Sequence, residues 1–193
     1  MTQEQYDKSI KTGELQLGLW QKAQHFSIVV FCFFIPAVLL LIHAFEYLKG
    51  NPAYFAAGEL YILIIPIVLG VLFYWMQKNR LKFKIVKTVL TKDEIKNLIE
   101  MLCKEYKWTS SFHNTHVFIL KTNPGFFSGS WGEQITILLN GDDVLLNSIC
   151  DPDQKSSVVS MSRNRENIET LVVNIEKNNT LKTSGNTEAS TIN

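Results

Sequence analysis

Two long apolar runs, Phe26 to Tyr47 and Leu60 to Met76, follow one another near the start of the chain. A bilayer's hydrocarbon core of about 30 Å takes about 20 helical residues. FSIVVFCFFIPAVLLLIHAFEY reaches that length before its first lysine, Lys49. LYILIIPIVLGVLFYWM, at about 17 residues, lies at the short edge of the spanning range, and Tyr54 to Ala57 can extend it. Both runs are apolar on every face, unlike a surface helix of a soluble domain. The sequence therefore predicts a transmembrane hairpin over 25–77, with spans at about 26–47 and 58–77.

Orientation follows from basic residues beside the spans. Lys78, Arg80, Lys82, Lys84 and Lys87 crowd the exit of the second span, with no acid from Gln77 to Leu90. The connecting loop offers Lys49 beside Glu46 and Glu59. Both termini are expected in the cytoplasm, in a bacterial inner membrane crossed twice. Lys78, Arg80, Lys82 and Lys84 are also the expected membrane-surface residues, because cations there are drawn to anionic headgroups. The segment before the first run is long and mixed in charge, without a small-residue cleavage pattern, so the run reads as an anchor and not a signal peptide.

The span interiors name no chemistry. His43, Glu46 and Glu59 stay at the outer rim, whereas an ion or proton pathway needs polar groups at depth. Pro36 and Pro66 sit at similar depth and read as shapers of helix packing, with Gly70 permitting close approach within the hairpin or a dimer. A net charge of +1 gives no push toward nucleic acid,. Cys32, Cys103 and Cys150 show no paired spacing, so no disulfide framework is indicated. Residues 1–24 form an N-terminal cytosolic segment, read as an interfacial helix or as flexible lead, broken by Gly13 and Gly18.

From residue 78 to 177 the pattern is that of a small cytosolic α+β domain. LKFKIVK alternates at period two, as a strand with one wet face does. Thr91-Lys92-Asp93-Glu94 is a capping box that opens an amphipathic helix with Ile95, Leu98, Ile99 and Leu102 on one face. WTSSF and THVFILKT fit two short strands or one bulged strand. EQITILLN and VLLNSIC form a hairpin across Asn140-Gly141, which supplies positive φ. Ile168, Leu171, Val172 and Ile175 mark a closing helix. The expected order is βαβββα, an antiparallel or mixed sheet covered by two helices. Residues 178–193 have too little apolar content to pack and read as a disordered tail.

At SWGEQITILLNGDDVLLNSICDP followed by SMSRNREN, the chain resembles small bacterial membrane proteins that carry such a domain behind two spans. The resemblance covers most of the segment after the spans. It implies an anchored module and transfers no activity.

Candidate sites are few. His113-x-x-His116, with Cys150, has the wrong spacing to converge on a strand, so no metal is expected. Gly125 to Gly132 with Arg163 and Arg165 suggests an anion pocket, without the fingerprint of a phosphate loop. Glu133, Asp142, Asp143, Asp151 and Asp153 read mostly as turn and cap residues, and Ser130 and Ser148 belong to no nucleophile arrangement. No cofactor is called for. Phe126, Phe127 and Trp131 beside Arg163 and Arg165 form the expected binding surface, since aromatics and arginine anchor interfaces. The sequence thus favours a membrane-anchored binding module for assembly or regulation, with the bilayer and a protein partner or second copy as its contacts and nucleic acid excluded. A membrane-tethered enzyme or small-anion-binding domain using the 125–132 loop is the runner-up, and an immunity-type protein against a membrane-active toxin is a third reading.

Overall fold

The computed structural model describes residues 1–51, 55–123, 132–154 and 161–191. Among them lie six helices and five strands: α1 (Gln3–Thr12), α2 (Leu19–His25), α3 (Ser27–Leu48), α4 (Ala57–Arg80), β1 (Lys84–Lys87), α5 (Lys92–Tyr106), β2 (Thr109–His113), β3 (Val117–Lys121), β4 (Glu133–Asn140), β5 (Asp143–Cys150) and α6 (Met161–Thr191). The fold is α+β, with a five-stranded, wholly antiparallel sheet in the order β1-β5-β4-β3-β2. The expected βαβββα order becomes βαββββα. WTSSF and THVFILKT form two strands, β2 and β3, with a register shift between Ser110 and Phe112.

Helices α3 and α4 are long and apolar enough to cross a membrane. They pack against each other in an antiparallel pair whose least exposed positions step by three and four. On α3 these are Val29, Cys32, Pro36, Leu39, His43 and Glu46; on α4 they are Glu59, Leu63, Pro66, Gly70, Phe73 and Gln77. That spacing belongs to knobs-into-holes packing. Gly70 is spent on it within the hairpin, because a Cβ there would stand 3.0 Å from Phe33 Cε2 and 3.3 Å from Cys32 Cβ. The two prolines lie in the same seam.

The central strands β4 and β5 are buried on both faces. On one face Ile135, Ile137, Leu139, Val144 and Leu146 meet α5 through Ile95, Leu98, Ile99 and Leu102, and α6 through Leu171 and Ile175. Burial of each such side chain is worth about 1.5–3 kcal/mol, which makes this layer the main source of stability. The other face carries Val117, Leu138, Leu145 and Ile149, and the N-terminal segment covers it with Met1, Tyr6, Ile10 and Leu15.

Residues 1–24 are therefore not a separate segment. Thr2 and Gln5 form a capping box that starts α1, and Gly13 at φ 67° ends it. Leu15 N then donates to Leu81 O at 2.7 Å, and Phe83 N donates to Gly13 O at 2.9 Å, so the segment pairs with the chain leaving α4. On α2, Leu19 and Trp20 are exposed just ahead of α3.

Two further expectations change. In the β4–β5 hairpin Asn140 is still paired with Asp143, and the positive φ falls on Gly141 alone at 60°. Glycine at the first central position is the type II′ pattern. At the C-terminus packing does not stop at Lys177. Asn179 Oδ1 accepts from Val89 N and from Thr88 Oγ1, while its Nδ2 donates to Lys87 O, so residue 179 closes the outer edge beside β1. Polar contacts, which hydropathy does not register, carry α6 beyond the expected boundary.

Candidate functional site

The basic residues after α4 are positioned by the sheet. Asn147 on β5 donates through Nδ2 to Arg80 O at 2.8 Å and to Lys82 O at 3.0 Å. This clamps the chain as it changes from helix to strand. Lys82 and Lys84 alternate with Phe83, which packs into the core beneath the N-terminal segment, so the two lysines share the opposite face, where Val86 joins the α5–α6 core,. The expectation of one wet strand face is corrected accordingly: the lysine side lines a groove against α6.

That groove has a volume of about 380 Å³ and runs between the Asn79–Lys84 segment, the floor at Leu146 to Ser148, and Asn164, Arg165, Ile168 and Glu169 of α6. It brings Arg80, Lys82 and Lys84 together with Arg165. Arg165 Nε lies 2.7 Å from Glu169 Oε1, and this hydrogen bond strengthens its protonated form. Arg80 Nη1 donates to Gln77 Oε1 at 3.2 Å. Lys82 and Lys84 make no ion pair among the described residues. Lys78 is exposed on α4 outside the groove, and Arg163 is half-buried on α6, likewise outside its lining. Phe126, Phe127 and Trp131 lie outside the described residues.

A second polar cluster sits at the same end of the sheet. Lys121 Nζ lies 3.0 Å from Asp151 Oδ2 and 2.8 Å from Asp153 Oδ2, and Gln21 of α2 donates to Asp153 Oδ1 at 3.0 Å. Asp151 does make the expected turn contact, accepting from Asp153 N. It is also 2% exposed and ion-paired, which a pure turn residue is not. The hydrogen bond from Gln21, followed by the charge of Lys121, holds the Asp153 carboxyl below its ordinary range. Burial pulls Lys121 down, and its bonds to Asp153 and Asp151 outweigh that and raise it. Glu133, 1% exposed, accepts from Thr122 Oγ1, while Glu133 N donates back to the same hydroxyl at 2.9 Å. Ser148 is a structural hydroxyl, donating to Asn164 Oδ1 at 2.9 Å.

The remaining candidates separate. His116 Nε2 lies 3.4 Å from Lys92 Nζ, with its ring near Tyr6. Asp143 pairs with Lys87 at 3.4 Å across the β1–β5 register. Among the described residues no three His, Cys, Asp or Glu side chains gather as a metal site. An apolar pocket of about 340 Å³ lies between α5 and strands β2 and β3, walled by Ile99, Cys103, Trp108, Phe118 and Leu120. It is remote from the groove in the fold, and Lys96, Glu100, Lys104 and Ser110 complete its lining.

Sequence reasoning missed one contact that organises this region. His25 of α2 is 3% exposed and its Nε2 lies 3.0 Å from Gln77 O on α4, joining the feet of the two long helices. Burial pushes its pKa down, with Arg80 acting the same way and the Gln77 carbonyl opposing. Its position at the end of the polar lead was the available signal. No family model, curated protein or solved structure matches the chain in comparisons with each.

Proposed function

We propose that the chain is a membrane-anchored binding module of the bacterial inner membrane, with both termini cytoplasmic, serving assembly or regulation at the inner leaflet. The observation that carries this reading is the docking at the hairpin's foot. Gln21 meets Asp153, His25 meets Gln77, and Leu15 pairs with Leu81, so the sheet is fixed to both long helices and not hung on a linker. Exposed Leu19 and Trp20 on α2 suit the lipid interface on that same side,. The basic exit of α4 supports a cytoplasmic position for that side. A domain held at fixed height above a membrane meets other membrane-bound partners at high effective concentration, without needing high intrinsic affinity.

The surface to test joins Phe126, Phe127 and Trp131 with Arg163 and Arg165. Trp131→Ala and Arg163→Glu in the full chain are expected to cut recovery of a cross-linked protein partner, or of a tagged second copy, about tenfold, the scale of a lost interface anchor. The thermal midpoint should stay within a degree or two of the parent's if the fold is untouched. Undiminished recovery in a quantitative pull-down from cross-linked membranes would overturn the choice of surface.

The small-anion alternative rests on the 125–132 loop, which apart from residue 132 lies outside the described residues; of its two arginines, Arg165 lines the groove beside α6.

A further inference from the structure

The groove between α6 and the exit of α4 shares Arg165 with the proposed partner surface and is otherwise lined by different residues. Four cations, Arg80, Lys82, Lys84 and Arg165, line it against one carboxylate, Glu169, which is already engaged by Arg165. The Lys82, Lys84 and Arg165 side chains are exposed, and the backbone that carries the two lysines is held in place. Asn147 holds the carbonyls of Arg80 and Lys82, and β1 pairing with β5 places Lys84 opposite Leu146. Such fixing lowers the ordering cost of binding an anion.

Depth identifies the anion's source. Met76 is the last apolar residue of the second span, and Arg80 follows four residues later, about 6 Å along a helix at 1.5 Å per residue. The headgroup layer on each side of a bilayer is about 5–8 Å thick. The groove therefore opens at the level of the lipid phosphates, where their local concentration exceeds that of any soluble phosphate.

We infer that this groove seats the phosphate of an anionic phospholipid from the leaflet that α4 enters. The guanidinium of Arg80 and the ammonium groups of Lys82 and Lys84 supply charge-assisted donors to the phosphodiester oxygens. Arg165, turned onto Glu169, closes the far wall. The headgroup would tie α6 to the foot of the hairpin and fix the tilt of the sheet over the membrane. The inference rests on the hairpin spanning a bilayer, which carbonate extraction of the same membranes reports separately.

The test uses the full chain in micelles, with phosphatidylglycerol, phosphatidylcholine and inorganic phosphate as probes, read by native mass spectrometry and by thermal midpoint. Phosphatidylglycerol is expected to be retained at one per chain and to raise the midpoint, with phosphatidylcholine doing neither. Lys82→Gln with Lys84→Gln should reduce retention about 25-fold, at about fivefold per cation near a surface. Arg165→Gln, at an exposed position of α6, is a second variant and should reduce retention about fivefold. Glu169→Gln should increase retention. Lys78→Gln removes one membrane-surface cation outside the groove and should cost well under the about fivefold expected for each groove cation. Equal retention of the two lipids, or an equal loss from Lys78→Gln, would overturn a built site in favour of diffuse surface charge. The same midpoint shift from inorganic phosphate would overturn the lipid as its source.

Discussion

Glu94 acts on two helices at once. Its carboxylate accepts from Thr91 N at 2.6 Å and closes the capping box of α5, and the same Oε2 lies 2.5 Å from Lys182 Nζ of α6. Lys182 first, then the Thr91 backbone and hydroxyl, draw its pKa from 4.5 down to about 2. A carboxylate whose folded pKa lies below its unfolded value stabilises the fold above the unfolded pKa and loses that contribution as pH falls through the folded one. The α5–α6 contact should therefore weaken between pH 4.5 and about 2. Glu94→Gln is expected to flatten the acid dependence of the melting midpoint in that window and to speed amide exchange around Asn179 and Lys182. Unchanged exchange there would show that α6 holds its extension without Glu94. The sequence revealed half of this residue's role. The box is local, four residues long, and legible; the lysine lies 88 positions away in a stretch whose polarity reads as tail.

At the scale of elements, the length and composition of α3 and α4 were legible, and their mutual face was not. The central positions of both helices are apolar on every side, so hydropathy carries little phase there, and the middle of the seam is written in size: Cys32, Pro36, Pro66 and Gly70. Lipid offers no hydrophobic drive between helices, and close packing must supply the association. Gly70→Ala sets 3.0 Å of space from Phe33 Cε2 against a helix-propensity gain of about 1 kcal/mol, so a near-neutral effect is expected. Gly70→Leu cannot be absorbed by a small shift of Phe33 and should cost about 2–3 kcal/mol, the scale of an overpacked core. The measurement is the thermal midpoint of the full chain in micelles. A Leu variant as stable as the parent would place the helix contact elsewhere. The β4–β5 hairpin was legible for the opposite reason, because Gly141 sits between two strands with a turn that only a few residue types accept,. The second face of those strands is mixed in character. Gln134, Thr136 and Asn147 give it the polarity of a wet surface, yet all three are buried.

What covers that face sets the unit of folding for the whole molecule. The apparent boundaries, a lead, a hairpin and a domain beginning at residue 78, place α1 and the sheet in different parts. The structure joins them across the hairpin. Tyr6 Oη donates to Leu139 O at 2.7 Å, Ser9 is fully buried and accepts from Gln16 N at 3.2 Å, and Leu15 is 3% exposed against Leu81 and Ile149. Two glycines hide this in the sequence, since the segment's apolar residues are spread over a helix, a bridge and a turn. A fragment of residues 78–193 would expose Val117, Leu138, Leu145 and Ile149 together, a patch of the kind that drives association,. Such a fragment is expected to bind a hydrophobic dye and to melt well below the full chain, and addition of a peptide spanning residues 1–24 should raise its midpoint. In the full chain Tyr6→Phe removes one hydrogen bond to a buried carbonyl and should cost about 1 kcal/mol. A fragment that melts like the full chain and ignores the peptide would mean that the sheet is stable with one face bare. In that case α1 would be a removable cover, and the tie between the sheet and the α3–α4 pair would rest on contacts such as those of Gln21, His25 and Asn147.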